Sequence, residues 1–516
     1  MATARKLTDV PQKRPGLELV KIQREHGSAA AGLAQRLEKE IKGEVRFDPA
    51  SRSLYAADLS IYRQVPIGVV VPRDADDVMA TVTACREFEA PILGRGCGTS
   101  LAGQCCNVAV VLDFSKYMNQ LREIDLQHRT AWVEPGLICD DLRHAANKFS
   151  LTFAVDPATH QYCTLGGMIG NNSCGVHSVM GGKTVDNVDA LEILTYDGLR
   201  TWVGKPDASE FEKVVRGGGR LADIYSQLRA LRDRYAEDVR ARYPQIPRRV
   251  SGYNLDELLP ENGFHVARSL VGSESTLALV LSARVRLIHN PPKRALLVIG
   301  YPDLGTAGDH VPEIMLFKPI GLEGFHKHVI ENMQRKGKTM AAASKLPKGE
   351  IWLLVEFGGE TQKEANAQAE AVVQRLRKLP GNRETRIFEK VEDQDAIWHA
   401  RESGVGASRV PGEEEAWPSW EDTAVAPEKL GNYLREFSDL VTNKFGYKWT
   451  VFGHFGQGCI HTRITFGLKT KEGVAKFRRF MEEGSDLVVR YGGSLSGEHG
   501  DGRPRVSCFP RCLDWN

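Results

Sequence analysis

The amino-acid sequence predicts an α+β fold with at least two domains. Its 516 residues exceed what a single hydrophobic core usually organises. Short apolar runs alternate with helix-like segments between residues 67 and 158. A different pattern of predicted strands and helices follows the two prolines of HNPP at 289–292. We therefore predict four segments: an N-terminal extension at 1–44, a first domain at 45–292, a second domain at 293–470 and a final segment at 471–516.

Composition and charge narrow the class of protein. The chain has 68 Lys and Arg against 66 Asp and Glu and is 42% hydrophobic, which favours a folded protein without the positive field of a nucleic-acid binder. The longest aliphatic run, VAVVL at 108–112, is too short to span a bilayer, and the N-terminus lacks the apolar core of a secretory signal. The ten cysteines show no repeated C-x-x-C spacing of a zinc or iron–sulfur site. We expect a cytoplasmic protein with reduced thiols and no transmembrane segment.

Small strand and helix units make up the first domain. The pattern predicts a strand at IGVVVP, a helix at DADDVMATVTACREF and further strands at APIL and VAVVLDF. VDALEILTYDG alternates apolar and polar residues and ends in Asp-Gly, which predicts a strand that enters a hairpin. A charged helix is predicted from about 206 to 242.

The second domain is predicted as a sheet backed by helices. RALLVIGY, IGLEGF and IWLLVEF are strand candidates, and KEANAQAEAVVQRLRKL and a segment starting at Pro427 are helix candidates. Each helix has one apolar face. The faces consist of Ala369, Val372, Val373, Leu376 and Leu379 in the first helix, and of Leu430, Tyr433, Leu434, Phe437 and Leu440 in the second.

Two stretches of the first domain are rich in glycine. GRGCGTSLAGQ at 94–104 has the composition of a loop whose backbone N–H groups approach a phosphate, because glycine removes the side chains that would block the contact. Its spacing fits neither G-x-x-x-x-G-K-S/T nor G-x-G-x-x-G, so a purely structural turn is an equal alternative for this stretch alone. TLGGMIGNNSCG adds a second such backbone with the hydrogen-bonding side chains Asn171, Asn172 and Ser173. Together the two loops favour a long diphosphate ligand.

These motifs resemble those of the PCMH-type, or vanillyl-alcohol-oxidase-like, FAD-binding flavoproteins. PILGRGCGTSLAGQ, Asp156-Pro157, TLGGMIGNNSCG and GSESTL at 272–277 occur in the family's order, and the resemblance runs from about residue 45 to 505. It implies a PCMH-type FAD-binding domain of two subdomains, followed by a substrate or cap domain made of a sheet and helices.

The resemblance also implies FAD as cofactor and assigns residues to it. The pyrophosphate is expected at Arg95, Gly96, Gly98, Thr99 and Ser100, and the ribityl chain and ring along Thr164, Gly166, Gly167, Asn171, Ser173 and Gly175. Pro157 and Glu274 belong to two of the motifs and are assigned to the same site. Ser275 departs from the family, which has glycine there, so a positive φ at this position would strain the serine.

A second candidate site combines His454 and His461 of GHFGQGCIH with Glu498 of SLSGEHGDG. Imidazole and carboxylate ligands suit a borderline divalent cation such as zinc, manganese or cobalt, and three protein ligands leave an open, catalytic position. Taken alone, the histidine pair fits ordinary hydrogen bonds in a loop and a strand. The glycine-flanked E-H-G favours the metal.

Within the flavoprotein family, these segments resemble the D-2-hydroxyacid dehydrogenases, which act on acids such as D-lactate, D-2-hydroxyglutarate and glycolate and carry H-x-G-D-G-x-x-H and a later E-H-G. The resemblance implies metal ligation by His454, His461 and Glu498, with His499 as the catalytic base. It implies oxidation of a D-2-hydroxy acid to the 2-oxo acid: the metal lowers the hydroxyl pKa, His499 takes the proton and flavin N5 takes the hydride. Gln457 replaces the family's aspartate at a position that is not a ligand.

Arg401 in WHARES and Arg463 in HTRITF are candidate clamps for a substrate carboxylate, since a guanidinium offers two parallel donors. Related enzymes have an R-E pair at a position similar to Arg401, and Arg463 would share a strand face with His461. The alternative for both arginines is an ordinary ion pair. The segment WEDTAV departs from relatives that bind 2-hydroxyglutarate, so dicarboxylate specificity is not transferred.

The stretch from about residue 45 to 505 resembles the flavin half of a long bacterial subgroup in which a cysteine-rich iron–sulfur half follows. This resemblance implies that residues 471–516 return toward the flavin domain. It also implies that electrons pass to an iron–sulfur domain or protein outside this chain. Such electron transfer would be compatible with a peripheral location at the membrane. The tail RPRVSCFPRCLDWN after Gly502 departs from the family, which we interpret as a truncation or a frame change. Two alternatives stay open: a metal-independent oxidase of the same fold, and an FAD-binding fragment that is inactive or depends on a partner.

Overall fold

The computed structural model describes residues 29–338, 343–381, 383–402, 410, 412–418, 420–505 and 508. Residues 1–28 of the predicted extension, and 506–507 and 509–516 of the tail, lie outside these ranges. Helix α1 covers residues 29–40. The helices that follow are α2 (Pro49–Leu54), α3 (Ala75–Glu87), α4 (Cys139–Asn147), α5 (Leu165–Asn171), α6 (Ser178–Gly181), α7 (Ala208–Gly217), α8 (Gly219–Arg242), α9 (Val266–Leu270), α10 (Leu304–Met315), α11 (His328–Arg335), α12 (Gln362–Leu376), α13 (Val391–Glu402), α14 (Leu430–Asp439) and α15 (Lys471–Arg490).

The strands belong to three larger sheets and one two-stranded sheet. They are β1 (Glu44–Arg46), β2 (Gly68–Val71), β3 (Ile92–Arg95), β4 (Val110–Asp113), β5 (Leu121–Asp125), β6 (Thr130–Val133), β7 (Leu151–Thr152), β8 (Val188–Leu194), β9 (Arg200–Val203), β10 (Leu279–Arg286), β11 (Ile288–His289), β12 (Lys293–Tyr301), β13 (Gly321–His326), β14 (Ile351–Gly359), β15 (Glu384–Phe388), β16 (Thr423–Ala424), β17 (Trp449–Gly453) and β18 (Cys459–Ile464).

The first sheet has the strand order β1-β2-β4-β3, with β2, β4 and β3 parallel and β1 antiparallel. Helix α3 connects β2 to β3 and begins after Asp74, whose carboxylate accepts the N–H groups of Asp76 and Asp77 at 3.0 Å. Val78 and Val82 of this helix are buried in the core beside the sheet. The strand and helix predictions for this region are confirmed, and the loop after β3 leaves the sheet at the carboxyl end of the strand.

The second sheet is antiparallel in the order β5-β6-β10-β8-β9, and its core includes residues of α4, α5, α8 and α9. The predicted hairpin is confirmed, because β8 pairs directly with β9. The single charged helix predicted from 206 to 242 is wrong. Gly218 adopts φ +68° between two helices, α7 and α8, and this backbone geometry ends the first one.

The second domain contains a seven-stranded sheet, which we call the cap sheet, in the order β15-β12-β14-β13-β17-β18-β16. Each strand pairing is antiparallel. Helices α10, α12 and α14 contribute to the core on one face, and α11 and α13 contribute to the core on the other. The predicted strands and both amphipathic helices are confirmed, with Leu430, Tyr433, Leu434 and Phe437 of α14 fully buried.

The final segment contacts both domains. Phe480 and Leu487 of α15 pack in the core of the second domain. The return toward the first domain is made by the loop that follows the helix, where Gln104 Nε2 donates to the carbonyl of His499 at 2.8 Å and the N–H of Gly252 donates to Asp501 at 2.7 Å. Among the described residues, no helix combines the length and apolarity needed to cross a membrane.

Candidate active site

A cavity of about 650 Å³ lies between the two glycine loops and the cap sheet, and we call it the central cavity. Ligand pockets commonly have volumes of about 300–1,000 Å³. Its lining includes these residues predicted to hold FAD: Arg95, Gly96, Gly98, Thr99, Ser100, Pro157, Thr164, Gly166, Gly167, Asn171, Ser173 and Glu274. Gly175 is not in the lining. A Cβ there would lie 2.3 Å from the backbone of Asp156, so close packing requires this glycine.

The first glycine loop offers backbone donors to the central cavity. The N–H groups of residues 96–99 donate to no group in the described part of the chain. A run of free N–H groups suits a phosphate. The guanidinium of Arg95 donates instead to the carbonyls of Cys105 at 2.8 Å and Ala57 at 2.9 Å. Arg95 therefore supports the loop, and the backbone is the part of it that fits a pyrophosphate.

The second glycine loop packs against the first. Thr164 caps α5 by accepting the N–H of Gly167 at 3.4 Å, and a Cβ at Gly96 would stand 2.1 Å from Thr164 Oγ1. Gly170, within α5, has no heavy atom from outside its own helix within 4 Å of the position that its Cβ would occupy. The residues present therefore fit FAD, with free donors for its phosphates and an open cradle beside α5.

Glu274 and Ser275 lie in the left-handed region, with φ of +51° and +62°. The strain expected for a serine with positive φ therefore applies at position 275. The Glu274 carboxylate accepts Gln104 Nε2 at 3.1 Å and the N–H groups of Asp501 and Gly502 at 2.8 and 3.1 Å. Its side chain thus holds the segment after His499, while the residue lines the cavity.

The histidine motif GHFGQGCIH forms the connection between β17 and β18. Phe452 lies opposite His461 in the antiparallel register, and His454 follows the end of β17. Gly458 makes the turn with φ +70°, and a Cβ there would stand 1.9 Å from the carbonyl of Val425. The hairpin brings the two imidazole rings to a centroid distance of 4.9 Å.

His454, His461 and Glu498 converge at the cap side of the central cavity. Their candidate ligand atoms all lie within 4.8 Å of one another, and all three residues are buried. Glu498 Oε2 is 2.7 Å from His454 Nε2 and 3.1 Å from His461 Nε2. The 3.1 Å approach to His461 is not aligned as a hydrogen bond, so within the described part of the chain His461 Nε2 is buried beside the carboxylate without one. This donor set fits a divalent cation.

Electrostatics favour a neutral ligand at His461 and a charged one at Glu498. Burial lowers the pKa of His461 to about 4, so its ring is free to bind a cation near neutral pH. Burial alone would raise the pKa of Glu498, but His454 and His461 hold that pKa well below its usual value.

Glu323 of β13 contacts the ring nitrogen of the metal-ligand candidate His454 that points away from Glu498. Nδ1 of His454 is 2.6 Å from Glu323 Oε1, and Glu323 is completely buried. Arg248, also fully buried, donates to Gln457 Oε1 at 2.6 Å and has Nη1 3.9 Å from Glu498 Oε2. Gln457 therefore contacts the arginine beside the cluster.

His499 lies beside the same cluster and lines the central cavity. Its Nε2 is 3.9 Å from Glu498 Oε2, and its ring is 4.8 Å from that of His461. The turn that carries it is fixed by Asp422, whose Oδ2 accepts the N–H groups of Glu498 and His499 at 3.0 and 2.8 Å. Burial lowers the pKa of His499, which keeps the imidazole neutral.

The two predicted arginine clamps have different positions. Arg401 lines the central cavity, but its Nε and Nη2 donate to Glu323 Oε2, so the two-donor fork expected for a substrate is already paired with a carboxylate. Arg463 is not in the lining, and its guanidinium contacts Glu421. Both arginines lie over the ring of Phe452, at 5.2 and 5.6 Å from its centroid. For Arg463, the ion-pair alternative of the sequence analysis describes the structure.

A further polar cluster lines the cavity where the two domains meet. His177 Nε2 is 2.6 Å from Glu356 Oε2, and its Nδ1 pairs with Asp156. Arg294 Nη1 lies 3.0 Å from the same oxygen of Glu356. Burial alone would lower the pKa of His177, but Asp156 and Glu356 raise it to about 9. His177 is therefore an imidazolium near neutral pH.

Comparison with known proteins identifies the family. A model of the FAD binding domain matches residues 66–204, and a model of the C-terminal domain of FAD linked oxidases matches residues 290–513. The chain belongs to the FAD-linked oxidoreductases. The second match extends to residue 513 and so includes most of the tail after Gly502, which we had interpreted as a departure from the family.

Proteins similar to this chain include D-2-hydroxyglutarate dehydrogenase from Pseudomonas putida, which is 30% identical over 473 residues that cover 89% of this chain and 47% of the relative. The chain thus spans about half the length of that relative. Glycolate oxidase subunit GlcD from Bacillus subtilis is 28% identical over 480 residues, which cover 90% of this chain and 88% of the relative. The fold matches p-cresol methylhydroxylase with a TM-score of 0.62 at 14% identity, covering 92% of this chain and 90% of that one. The predicted fold class, with its PCMH-type flavin domain, is confirmed.

Sequence reasoning missed several buried charged residues of this site. Glu323 and His177 occur singly and Arg248 is one of two adjacent arginines, with no spacing that predicts their contacts. A signal did exist for Glu421 and Asp422, because two adjacent acidic residues interrupt an otherwise apolar segment.

Proposed function

We propose that this chain binds FAD and one divalent metal ion and oxidises a D-2-hydroxy acid to the corresponding 2-oxo acid. The observation that carries the proposal is the central cavity, whose lining includes both glycine loops and the cluster of His454, His461, Glu498 and His499. A flavin site and a candidate metal site on the walls of one cavity suit a hydroxy acid held between them.

The FAD part of the proposal rests on the glycine loops. The free N–H groups of residues 96–99 would hold the pyrophosphate, and α5 with Gly170, Asn171 and Ser173 would border the ribityl chain and ring. FAD, when bound, supplies the acceptor for the hydride that leaves the substrate's α-carbon. The loops orient that acceptor and exclude water from it.

The metal part rests on the convergence of the three ligand candidates, in which the buried Nε2 of His461 lies beside Glu498 without an aligned hydrogen bond. His454, His461 and Glu498 would hold the ion, for which zinc and manganese are the best matches to the donor set. A divalent ion, when bound, supplies a Lewis acid for the substrate hydroxyl. Glu323 orients His454 through Nδ1, which leaves Nε2 for the ion.

His499 is proposed as the base. Burial lowers the pKa of His499, which keeps its ring neutral, and the ring lines the cavity next to Glu498. Nε2 takes the hydroxyl proton of the substrate, which leaves the α-carbon hydride as the remaining group to transfer. Arg401 is proposed to meet the substrate carboxylate with the part of its guanidinium that Glu323 does not use.

The substrate class is supported by the relatives, which are named for 2-hydroxyglutarate and glycolate, both 2-hydroxy acids. We further propose that the reduced flavin passes its electrons to an iron–sulfur domain or protein outside this chain. A cytoplasmic location is proposed from the cysteines, since the nine that the structure describes are unpaired.

Anaerobic mixing with a panel of D-2-hydroxy acids tests the proposal. At least one acid should bleach the flavin absorbance of the FAD- and metal-loaded protein. His499→Asn should slow that reduction by roughly 10²- to 10⁴-fold and keep FAD and metal, as expected for loss of a positioned base. His144→Asn, at an exposed histidine of α4, is the matched control. If no acid in the panel reduces the flavin, the proposed function is wrong.

A further inference from the structure

Glu421 and His499 present two buried polar atoms to each other. Oε1 of Glu421 is 3.3 Å from Nδ1 of His499. Neither atom has a hydrogen-bond partner among the described residues, and Glu421 is only 2% exposed. Buried polar atoms are nearly always paired in native proteins, so two that face each other indicate a bond that the working enzyme completes.

Asp422 is the other carboxylate near Nδ1 of His499, at 3.8 Å, but its oxygens are occupied. Oδ2 accepts Ser496 Oγ at 2.6 Å and the N–H groups of Glu498 and His499. Oδ1 pairs with Arg505. Asp422 therefore holds the backbone of the turn, and Glu421 is the carboxylate whose oxygen can accept a hydrogen bond from the imidazole.

The backbone fixes Glu421 in this place. The short strand β16, which follows it, pairs on one edge with β18, where Thr423 lies opposite Ile460. On its other edge, Ala424 and Ser494 exchange N–H···O bonds of 3.0 and 2.8 Å. Glu421 thus lies between the strand that carries His461 and the loop that carries His499.

Arg463 provides the charge that a buried carboxylate needs. Its guanidinium contacts Glu421, and both side chains are 2% exposed. Taking a carboxylate out of water is costly unless an opposite charge accompanies it. Arg463 therefore acts on the site through Glu421, which explains an arginine so close to His461 without access to the cavity.

We propose that Glu421 is the positioning residue of His499 and that the contact with Arg463 holds the Glu421 carboxylate in place. Nδ1–H of His499 donates to Glu421, so the lone pair of the neutral ring is on Nε2, which faces Glu498. When Nε2 takes the substrate hydroxyl proton, Nδ1 keeps its own proton, and Glu421 stabilises the resulting imidazolium. The catalytic part of this inference rests on the proposed function.

The test compares wild type, Glu421→Gln and the control Glu428→Gln, an exposed glutamate of the same segment. Imidazole nitrogens are observed by NMR of FAD- and metal-loaded protein with ¹⁵N-labelled histidine, and the His499 signals are assigned by their loss in His499→Asn. Wild type and Glu428→Gln should show the Nδ1–H tautomer. In Glu421→Gln the amide can donate to Nδ1, which moves the ring proton to Nε2.

The kinetic arm measures flavin reduction in a single turnover. Glu421→Gln should slow it by roughly 10²- to 10⁴-fold with unchanged FAD and metal content, the effect of a wrongly protonated base. In the His499→Asn background the same substitution should cause no further loss. An Nε2–H tautomer in wild type, an unchanged tautomer in Glu421→Gln, or an equal loss in both backgrounds would overturn the proposal. The His499 tautomer observed in wild type tests the proposal even if Glu421→Gln does not fold. If no hydroxy acid reduces the flavin, the proposed function fails, and the NMR arm still decides the pairing of Glu421 with His499.

Discussion

Arg401 and Glu323 form a buried ion pair in which Nε and Nη2 of the arginine both donate to Oε2 of the glutamate, at 2.9 and 2.6 Å. The other carboxylate oxygen is 2.6 Å from Nδ1 of His454. Arginine, carboxylate and imidazole thus form one connected chain that ends at His454 Nε2, which faces Glu498. A partner on the far nitrogen fixes both the orientation and the tautomer of a metal-binding histidine.

Glu323→Gln should weaken metal binding by about 10- to 100-fold, the usual cost of losing such a partner. The amide keeps the shape of the side chain but removes the charge that Arg401 and His454 share. Metal affinity is measured by competition with a chelator, and FAD content should not change. Glu370→Gln, at an exposed position of α12, provides the control. An affinity equal to that of wild type would show that Glu323 serves the fold and not the metal.

Gly170→Leu should fold normally and lose FAD. The glycine is helical without a positive φ, and no atom outside its own helix lies within 4 Å of the added Cβ, so we expect the larger side chain to occupy the open cradle. Flavin absorbance per protein reports the loss, and circular dichroism reports the fold. Gly217→Leu is matched to it, since that glycine is also helical with nothing within 4 Å. Full FAD occupancy in Gly170→Leu would place the cofactor elsewhere.

The sequence predicted most of the fold because its elements follow local rules. Helix α14 keeps its apolar face over more than two turns, and β14 is a long apolar run, so the local pattern of apolar residues was enough to predict both elements. The break at Gly218 was missed because charged residues continue on both sides of it, although the run of Gly217, Gly218 and Gly219 is a sequence signal for it and the last two have positive φ.

The candidate site was predictable where its residues are neighbours in the chain. His454 and His461 share one hairpin, and Glu498 and His499 are adjacent. The choice between clamp and ion pair for Arg463 stayed open because nothing in HTRITF reveals its partner, Glu421, which lies just before the strand β16 that pairs with the same β18. Contacts of this kind depend on sheet order, which local patterns do not encode.

The domain-bridging His177 makes the stability of the protein depend on pH. Asp156 and Glu356 raise its pKa to about 9 from an ordinary value of about 6.5, and Arg294 and Arg143 flank these carboxylates. Because the folded state holds the proton more tightly, the stabilisation is complete below about pH 6.5 and is lost as the pH rises through about 9. Its size is on the order of 3 kcal/mol.

His177→Gln should therefore be less stable than wild type near pH 6, and the difference should shrink as the pH approaches about 10. Glutamine keeps hydrogen-bonding capacity but carries no charge between Asp156 and Glu356. Urea unfolding of FAD-loaded protein, followed across this pH range, gives the difference in midpoint at each pH. His144→Gln, at an exposed histidine, should show no such trend. A difference between wild type and His177→Gln that stays constant from about pH 6 to about pH 10 would mean that His177 contributes packing alone, without the charge that joins the flavin domain to the cap sheet.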